Sequence, residues 1–298
     1  MKKILLSLSA IALLATSCGK DSAVGTDDTP VPKYITVDAS VGKMTRATTT
    51  GTTTVFDQGD KIKIYAWTDT QHDTPQSFVV EGVDNTLGQD GTWTPETPML
   101  WSDMTTRHYF LGVYPPHQVA DFTADAFTVD NQDYEASDLL YAVVLSPGVT
   151  ATDNPVSLTF DHAMSKLYVN MTFRNQWDAT PAIASCTALA ANTGTINYMA
   201  KTIAAGQAAE TALVQQQTPT SNFEATFSGL MVPQSGFRTV IISIDGRDYT
   251  YTHTEDIPLV SGKFTTLNLI VGREKIEIGE VSINDWTEGT TLDGGQAL

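Results

Sequence analysis

The feature that most constrains the fold of this chain is an alternation of apolar and polar residues between Val156 and Phe173. The alternation changes phase once, at residues 163–166. The positions that share a face are Leu158, Phe160 and His162 before the change, and Leu167, Val169, Met171 and Phe173 after it. A period of two residues is typical of a strand with one buried face, and a one-residue slip would turn that face to solvent. We therefore predict one strand with a β-bulge at the phase change.

Short alternating runs of this kind recur along the chain, separated by Gly, Asn, Asp and Thr, and they predict an all-β fold. His108–Tyr114 is apolar on both faces, which predicts a central strand. Residues 240–251 alternate on both sides of Asp245-Gly246, which predicts a hairpin. The last alternating run begins at Ile276 and changes phase at Gly279.

A chain of 298 residues can hold two β-sandwich domains, each with its own core. The Pro- and Gly-containing segment before the opening strand favours a boundary there, so we predict domains at 47–152 and 153–298. Two segments of the second domain are less regular. The Ala- and Gln-rich residues 201–217 predict a short helix, and residues 185–190 and 195–199 are predicted to pair across an Asn-Thr-Gly turn.

The N-terminus predicts export and lipid attachment. A basic Lys2-Lys3 pair precedes an apolar run, Ile4–Leu14, that is too short to span a bilayer. Small residues then lead directly to Cys18, as in a bacterial lipobox. We predict that residues 1–17 are a lipoprotein signal peptide and that Cys18 is acylated, in a lipidated pro-segment at 18–46. The alternative is an ordinary signal peptide with an incidental cysteine.

The composition limits the classes of partner. The formal net charge is −17 and the pI is about 4.4, with no basic cluster beyond the N-terminus, so we expect no nucleic-acid partner. Cys186 is the other of the two cysteines. If Cys18 is lipidated, no intrachain disulfide can form, and we predict that Cys186 is a small buried residue.

A short predicted strand, Tyr34–Val41, lies just before a segment with no apolar face. Its inward side chains are predicted to be Ile35, Val37, Ala39 and Val41. The Thr-rich segment that follows contains Arg46-Ala47 and is predicted to be exposed. An arginine in this setting is a target for a trypsin-like protease, and the alternative is a solvated linker arginine.

Several motifs, taken in order, resemble those of the Bacteroidales fimbrillin family, the Mfa-like pilin subunits. They are L-x-F-x-H-A-M-S-K-L at 158–167, F-D-Q-G-D-K-I-K-I-Y at 56–65, a W-x-P…W run from Trp93, G-K-x-x-x-L-N-L at 262–269 and I-x-D-W ending at Trp286. This resemblance implies two tandem transthyretin-like β-sandwich domains after a lipoprotein signal peptide.

The resemblance also implies how the chain matures and assembles. A trypsin-like protease cleaves between Arg46 and Ala47 and removes the first strand. The Ile35, Val37, Ala39 and Val41 side chains would thus plug a groove that a neighbouring pilin subunit later fills by donor-strand exchange. The implied location is the outer-membrane surface, through the lipid anchor, and then the fimbrium.

No pattern in the sequence indicates an enzyme, a cofactor or a metal site. The five histidines are scattered and form none of the usual metal-ligand motifs, and no G-x-S-x-G elbow is present. They are His72, His108, His117, His162 and His253. We predict that His162 is a core-edge residue whose ring is satisfied by the backbone.

Two functional hypotheses follow. The first is a structural pilin. The 12 residues after Trp286 are poorly suited to act as a donor strand, which favours a tip or minor subunit with an adhesive role. The second is a non-polymerising surface lipoprotein that binds glycans or host ligands through exposed aromatics such as Trp67, Trp93 and Trp101. A hydrolase is the least favoured class.

Overall fold

A computed structural model describes residues 34–42, 55–177 and 179–285, and these residues belong to one compact unit. The prediction of an all-β fold is confirmed. In chain order the first strands are β1 Val37–Val41, β2 Lys61–Trp67, β3 Phe78–Leu87, β4 Trp93–Pro95, β5 His108–Tyr114, β6 Asp125–Thr128, β7 Leu140–Val149 and β8 Val156–His162. A single turn of helix, α1 (Tyr134–Ser137), precedes β7, and a 3-10 turn, Ala151–Asp153, precedes β8.

The strands of the second half are shorter on average and lie in three further sheets. They are β9 Ser165–Phe173, β10 Ile183–Ala190, β11 Thr193–Asn197, β12 Thr202–Ala205, β13 Ala209–Ala212, β14 Val214–Gln215, β15 Ala225–Met231, β16 Thr239–Ile244, β17 Arg247–Thr252, β18 Lys263–Val271 and β19 Ile276–Asp285.

The first sheet has seven strands in the order β1-β8-β7-β5-β2-β3-β4. The central position of β5 confirms the prediction for His108–Tyr114, and both faces of this strand are buried because each lies against a core. The sheet curls so that its two edges approach each other. Tyr34 forms an antiparallel bridge with Leu100, and the Trp93 indole Nε1–H donates to the Ala39 carbonyl at 3.4 Å. β1 therefore lies along the seam of the curled sheet.

The phase change at 163–166 is real, but the predicted β-bulge is wrong. The chain leaves the seven-stranded sheet after His162 and enters a different, five-stranded sheet at Ser165. The buried residues of β8 pack into the core of the first sheet, and those of β9 pack into the core of the second half. Two separate cores, rather than one continuous strand, account for the change of parity.

The second half contains a β-sandwich. A four-stranded sheet, β13-β10-β16-β17, packs face to face with a five-stranded sheet, β14-β15-β9-β18-β19, around one core. The predicted hairpin is confirmed as β16 and β17, with Asp245 and Gly246 at φ values of 50° and 77° in its turn. The phase change at Gly279 is also confirmed, as a register shift in the pairing of β19 with β18.

Two predictions for the second half are wrong. Residues 201–217 form the strands β12, β13 and β14 instead of a helix. β10 pairs with β13 and β16, and β11 pairs with β12 and β6, so the predicted pairing of 185–190 with 195–199 does not form. Helix propensity is a weak preference that pairing with a neighbouring strand overrides.

A third core joins the two halves. It lies between the other face of the seven-stranded sheet and a three-stranded sheet, β12-β11-β6, and it includes Tyr65 and Trp67 together with Ile196 and Tyr198. Sheet membership changes between His162 and Ser165, ten residues after the predicted boundary. The domain ranges 47–152 and 153–298, and their transthyretin-like character, remain predictions.

Cys186 is fully buried in the sandwich core, as predicted, and burial raises the pKa of its thiol. Within the described residues, no helix has both the length and the apolar character needed to cross a membrane.

Candidate functional site

The first strand is an edge strand with one face buried. Ile35, Val37 and Val41 are buried and Ala39 is half-buried, whereas the residues between them are exposed. This is the inward set that the alternation predicts. Among the described strands β1 pairs with β8 alone, so one side of its backbone is not part of a sheet ladder.

The backbone of β1 runs parallel to β8, in a register that places Val37 opposite Val156 and Val41 opposite Phe160. Further hydrogen bonds hold its two ends. The Ile35 N–H donates to the Met99 carbonyl at 2.8 Å, and the Gly42 N–H donates to the Phe160 carbonyl at 2.7 Å. The strand is therefore held along its whole length, from the residue before Thr36 to the residue after Val41.

Beneath β1 lies a core that is rich in aromatic side chains. The partly buried Phe56 packs against it, with its ring edge-on to Trp93, Phe160 and Tyr114 at centroid distances of 5.2, 5.3 and 5.5 Å. Met99 and other apolar side chains of β2, β5 and β8 complete it. If β1 left, this core would be open to solvent along the seam.

The contribution of the buried side chains of β1 to the stability of the fold can be estimated. Complete burial of a Val or Ile side chain is worth about 1.5–3 kcal/mol, and Ile35, Val37 and Val41 are each at least nine-tenths buried. The sum is comparable with the whole stability of a typical domain, roughly 5–15 kcal/mol. Loss of β1 would also leave the facing N–H and C=O groups of β8 unpaired. An empty groove is therefore unfavourable, and either β1 or another strand must fill it.

Three of the predicted site residues lie outside the described residues. They are Cys18 and the Arg46-Ala47 pair, so their roles remain predictions. Trp286 and the residues after it also lie outside the described part of the chain. The segment with Arg46 joins two described ranges, which end at Gly42 and begin at Val55.

The aromatic residues that a ligand-binding surface would need are buried. Trp67, Trp93 and Trp101 have exposed fractions of 0, 6 and 8%. Trp67 packs in the core between the sheets, and its indole Nε1–H donates to the His72 carbonyl at 2.9 Å. These three tryptophans therefore do not provide the exposed aromatic surface on which the glycan-binding hypothesis was based.

His162 is buried as expected, and the Asp138 carboxylate is one partner of its ring. The distance between His162 Nδ1 and Asp138 Oδ1 is 2.8 Å, and both side chains are buried. The pairing of β7 with β8 places Leu140 opposite His162 and so brings Asp138 within reach. Within the described ranges, no group of three His, Cys, Asp or Glu side chains is arranged to hold a metal ion.

A second buried polar group has no signal in the sequence. Asp125 Oδ2 accepts a hydrogen bond from the Tyr198 hydroxyl at 2.6 Å and lies 2.8 Å from His117 Nε2. Burial would lower the pKa of His117, but the hydrogen bonds to Asp125 and to the Pro115 carbonyl outweigh burial, and its pKa is raised. Burial raises the pKa of Tyr198, and Asp125 adds to this effect. Asp125 begins β6, and Tyr198 directly follows β11, which pairs with β6, so the network connects the two halves.

Comparisons with known proteins agree with this architecture. The model of the fimbrillin-like family matches residues 45–286. Among solved structures, a candidate cell adhesion protein from Bacteroides uniformis ATCC 8492 has a TM-score of 0.63 at 17% identity, over 87% of this chain and 100% of that one. A second candidate adhesion protein, from Bacteroides ovatus ATCC 8483, has a TM-score of 0.62 at 17% identity, over 87% and 99% of the two chains.

A fimbrial protein from Bacteroides vulgatus ATCC 8482 has a TM-score of 0.54 at 13% identity, over 86% of this chain and 100% of that one. At these identities the likeness shows a shared fold. A search of curated proteins gives no match.

Proposed function

This chain belongs to the fimbrillin-like family, and we propose that it is a structural fimbrial subunit that assembles by donor-strand exchange in the groove that β1 occupies. The observation that supports this proposal is the position of β1, an edge strand at the seam of the curled sheet with its apolar face over an aromatic core. β1 precedes the segment that contains Arg46, so one cleavage after Arg46 would separate it from the rest of the chain.

Cleavage would change the binding of β1 from intramolecular to intermolecular. While the linker is intact, β1 is present at an effective concentration in the millimolar range, which keeps the groove filled. After a trypsin-like protease cuts between Arg46 and Ala47, the released segment is subject to dilution. A longer or more apolar strand from a neighbouring subunit would then occupy the groove and pair with β8, which is a form of β-augmentation.

The proposal places the precursor on the outer membrane through acylated Cys18, and the mature subunit in the fimbrium. Two acyl signals are enough for stable anchoring, whereas one chain gives only marginal binding. A tip or minor position with an adhesive role, toward a host or bacterial surface ligand, is part of the same proposal. No cofactor takes part in it.

We expect Cys18→Ala to abolish metabolic labelling of the chain with an alkyne fatty acid and to leave unprocessed precursor, because the thiol that receives the lipid is gone. In-gel fluorescence after conjugation to a dye measures the labelling. Cys186→Ala is the matched control, since that thiol is buried, and it should be labelled like the parent. Normal labelling of Cys18→Ala would contradict the lipoprotein assignment.

Assembly itself can be tested on gels. Surface material from cells that express the chain should contain species that resist SDS at room temperature and collapse to single subunits on boiling, because exchanged strands dissociate slowly. Immunoblotting of unboiled and boiled samples measures this. A monomer under both conditions would favour the alternative, a non-polymerising surface lipoprotein that binds a glycan or host ligand.

A further inference from the structure

One residue outside β1 recognises a polar position of that strand. The Asn154 side chain accepts a hydrogen bond from the Thr36 backbone N–H at 2.9 Å and donates one from Nδ2 to Thr36 Oγ1 at 2.8 Å. The Thr36 carbonyl accepts from the Val156 N–H at 2.8 Å. Thr36 is thus held through its amide, its hydroxyl and its carbonyl, although it lies on the exposed face of the strand.

The backbone that carries Asn154 is positioned by contacts that do not involve β1. It follows the 3-10 turn Ala151–Asp153, in which the Asp153 carboxylate accepts hydrogen bonds from the Thr150 N–H at 2.7 Å and from the Thr150 hydroxyl at 3.0 Å. The Asp153 N–H donates back to the Thr150 carbonyl at 2.9 Å. This reciprocal capping arrangement closes the turn and presents the Asn154 carboxamide at the start of β8.

The apolar pattern of a strand cannot select one register by itself. A slip of one residue exposes the apolar face, but a slip of two residues preserves the alternation. Such a slip would bring Tyr34 or Asp38 to Asn154 in place of Thr36. Tyrosine has no acceptor near its Cβ atom, and the aspartate oxygens lie one bond further out than a threonine hydroxyl. Only Ser and Thr carry an oxygen directly on Cβ, so Asn154 distinguishes registers that alternation leaves equivalent.

The far end of the groove also favours a small residue. A Cβ atom on Gly42 would lie 2.6 Å from Asp161 Oδ1 and 3.3 Å from Thr159 Cγ2, so a larger residue at this position would displace the Asp161 side chain.

On the premise of the proposed function, we propose that Asn154 sets the register of the strand that replaces β1. The incoming strand, from another fimbrial subunit, then has Ser or Thr at the position of Thr36 and a small residue six positions later. Apolar residues occupy the places of Ile35, Val37 and Val41. The groove thus selects its partner by one polar side chain and one steric preference, in addition to apolar alternation.

The test uses the full chain with a site for a sequence-specific protease in place of residues 44–47, so that cleavage leaves β1 in its seat but untethered. A fluorescent peptide with the sequence of residues 34–42 is added, and its binding is followed by anisotropy. The peptide series comprises the parent sequence, Thr36→Ser, Thr36→Val and, as a control at an exposed position, Asp38→Asn. Each peptide is also tested on the Asn154→Ala protein, whose fold is checked by thermal melting.

We expect Thr36→Ser and Asp38→Asn to bind like the parent peptide and Thr36→Val to bind about tenfold more weakly, as for the loss of one net hydrogen-bond contribution. The Asn154→Ala protein, which loses the bonds to both the Thr36 amide and the Thr36 hydroxyl, should bind the parent peptide at least tenfold more weakly and should not distinguish it from Thr36→Val. Equal binding of Thr36→Val and parent peptides to the unmodified protein would overturn the role of Asn154. If no peptide enters the cleaved protein, strand exchange itself is contradicted, and the inference falls with it.

Discussion

Val37→Asp is expected to release β1 from the groove before any protease acts. Val37 is 6% exposed and points into the core beneath the strand, so the substitution removes an apolar contact and places a carboxylate without a partner in the same position. An uncompensated buried charge costs on the order of 3–5 kcal/mol, in addition to about 1.5–3 kcal/mol of lost burial. These costs are comparable with the whole contribution of β1, so the tethered strand should dissociate and leave the groove open.

The measurement is binding of a fluorescent peptide with the sequence of residues 34–42 to the uncleaved protein, together with its oligomeric state by light scattering. The parent should exclude the peptide and stay monomeric, and Val37→Asp should bind it or aggregate. Ser40→Asp is the matched control, because it adds the same charge to β1 at an exposed position. If Val37→Asp excludes the peptide and stays as monomeric as Ser40→Asp, β1 is not a plug.

Arg46→Ala is expected to abolish the SDS-resistant polymers of this subunit. The uncut linker keeps the effective concentration of β1 high. An incoming strand therefore cannot compete with β1 for the groove. The variant should therefore accumulate on the surface as a lipidated monomer. Unboiled immunoblots of surface material measure the loss.

The same segment contains a suitable control. Lys43→Ala removes another basic residue from the linker and leaves Arg46 in place, so it should assemble like the parent. Polymers of normal length from Arg46→Ala would show that cleavage at this bond is not needed. Loss of polymers from both variants would show that the assembly defect does not depend on this arginine in particular.

Local patterns in the sequence predict much of this fold because burial alternates along individual strands. The buried face of β1, the central position of β5 and the β16–β17 hairpin each follow from a run of a few residues. The phase change near His162 was also visible, because two cores impose opposite parities on one stretch of chain. What alternation cannot indicate is which sheet a strand enters, and this is why the predicted bulge is wrong.

The parts that sequence reasoning missed depend on contacts between distant residues. Asp125 and Tyr198 meet because β6 pairs with β11, and no spacing along the chain signals that pairing. The contact of Asn154 with Thr36 likewise joins residues 118 positions apart. The apolar face of β1 was predictable from sequence, whereas the polar residue that selects its register was not.

The central claim is that β1 is a temporary occupant of its groove, and the N-terminus of the assembled subunit tests it most directly. Polymers purified from the cell surface would be boiled, separated and analysed by N-terminal sequencing, with mass spectrometry for peptides from residues 34–41. We predict that the assembled subunit begins at Ala47 and that no peptide from 34–41 is present. Assembled subunits that retain residues 34–41 in equal amount with the rest of the chain would contradict the account.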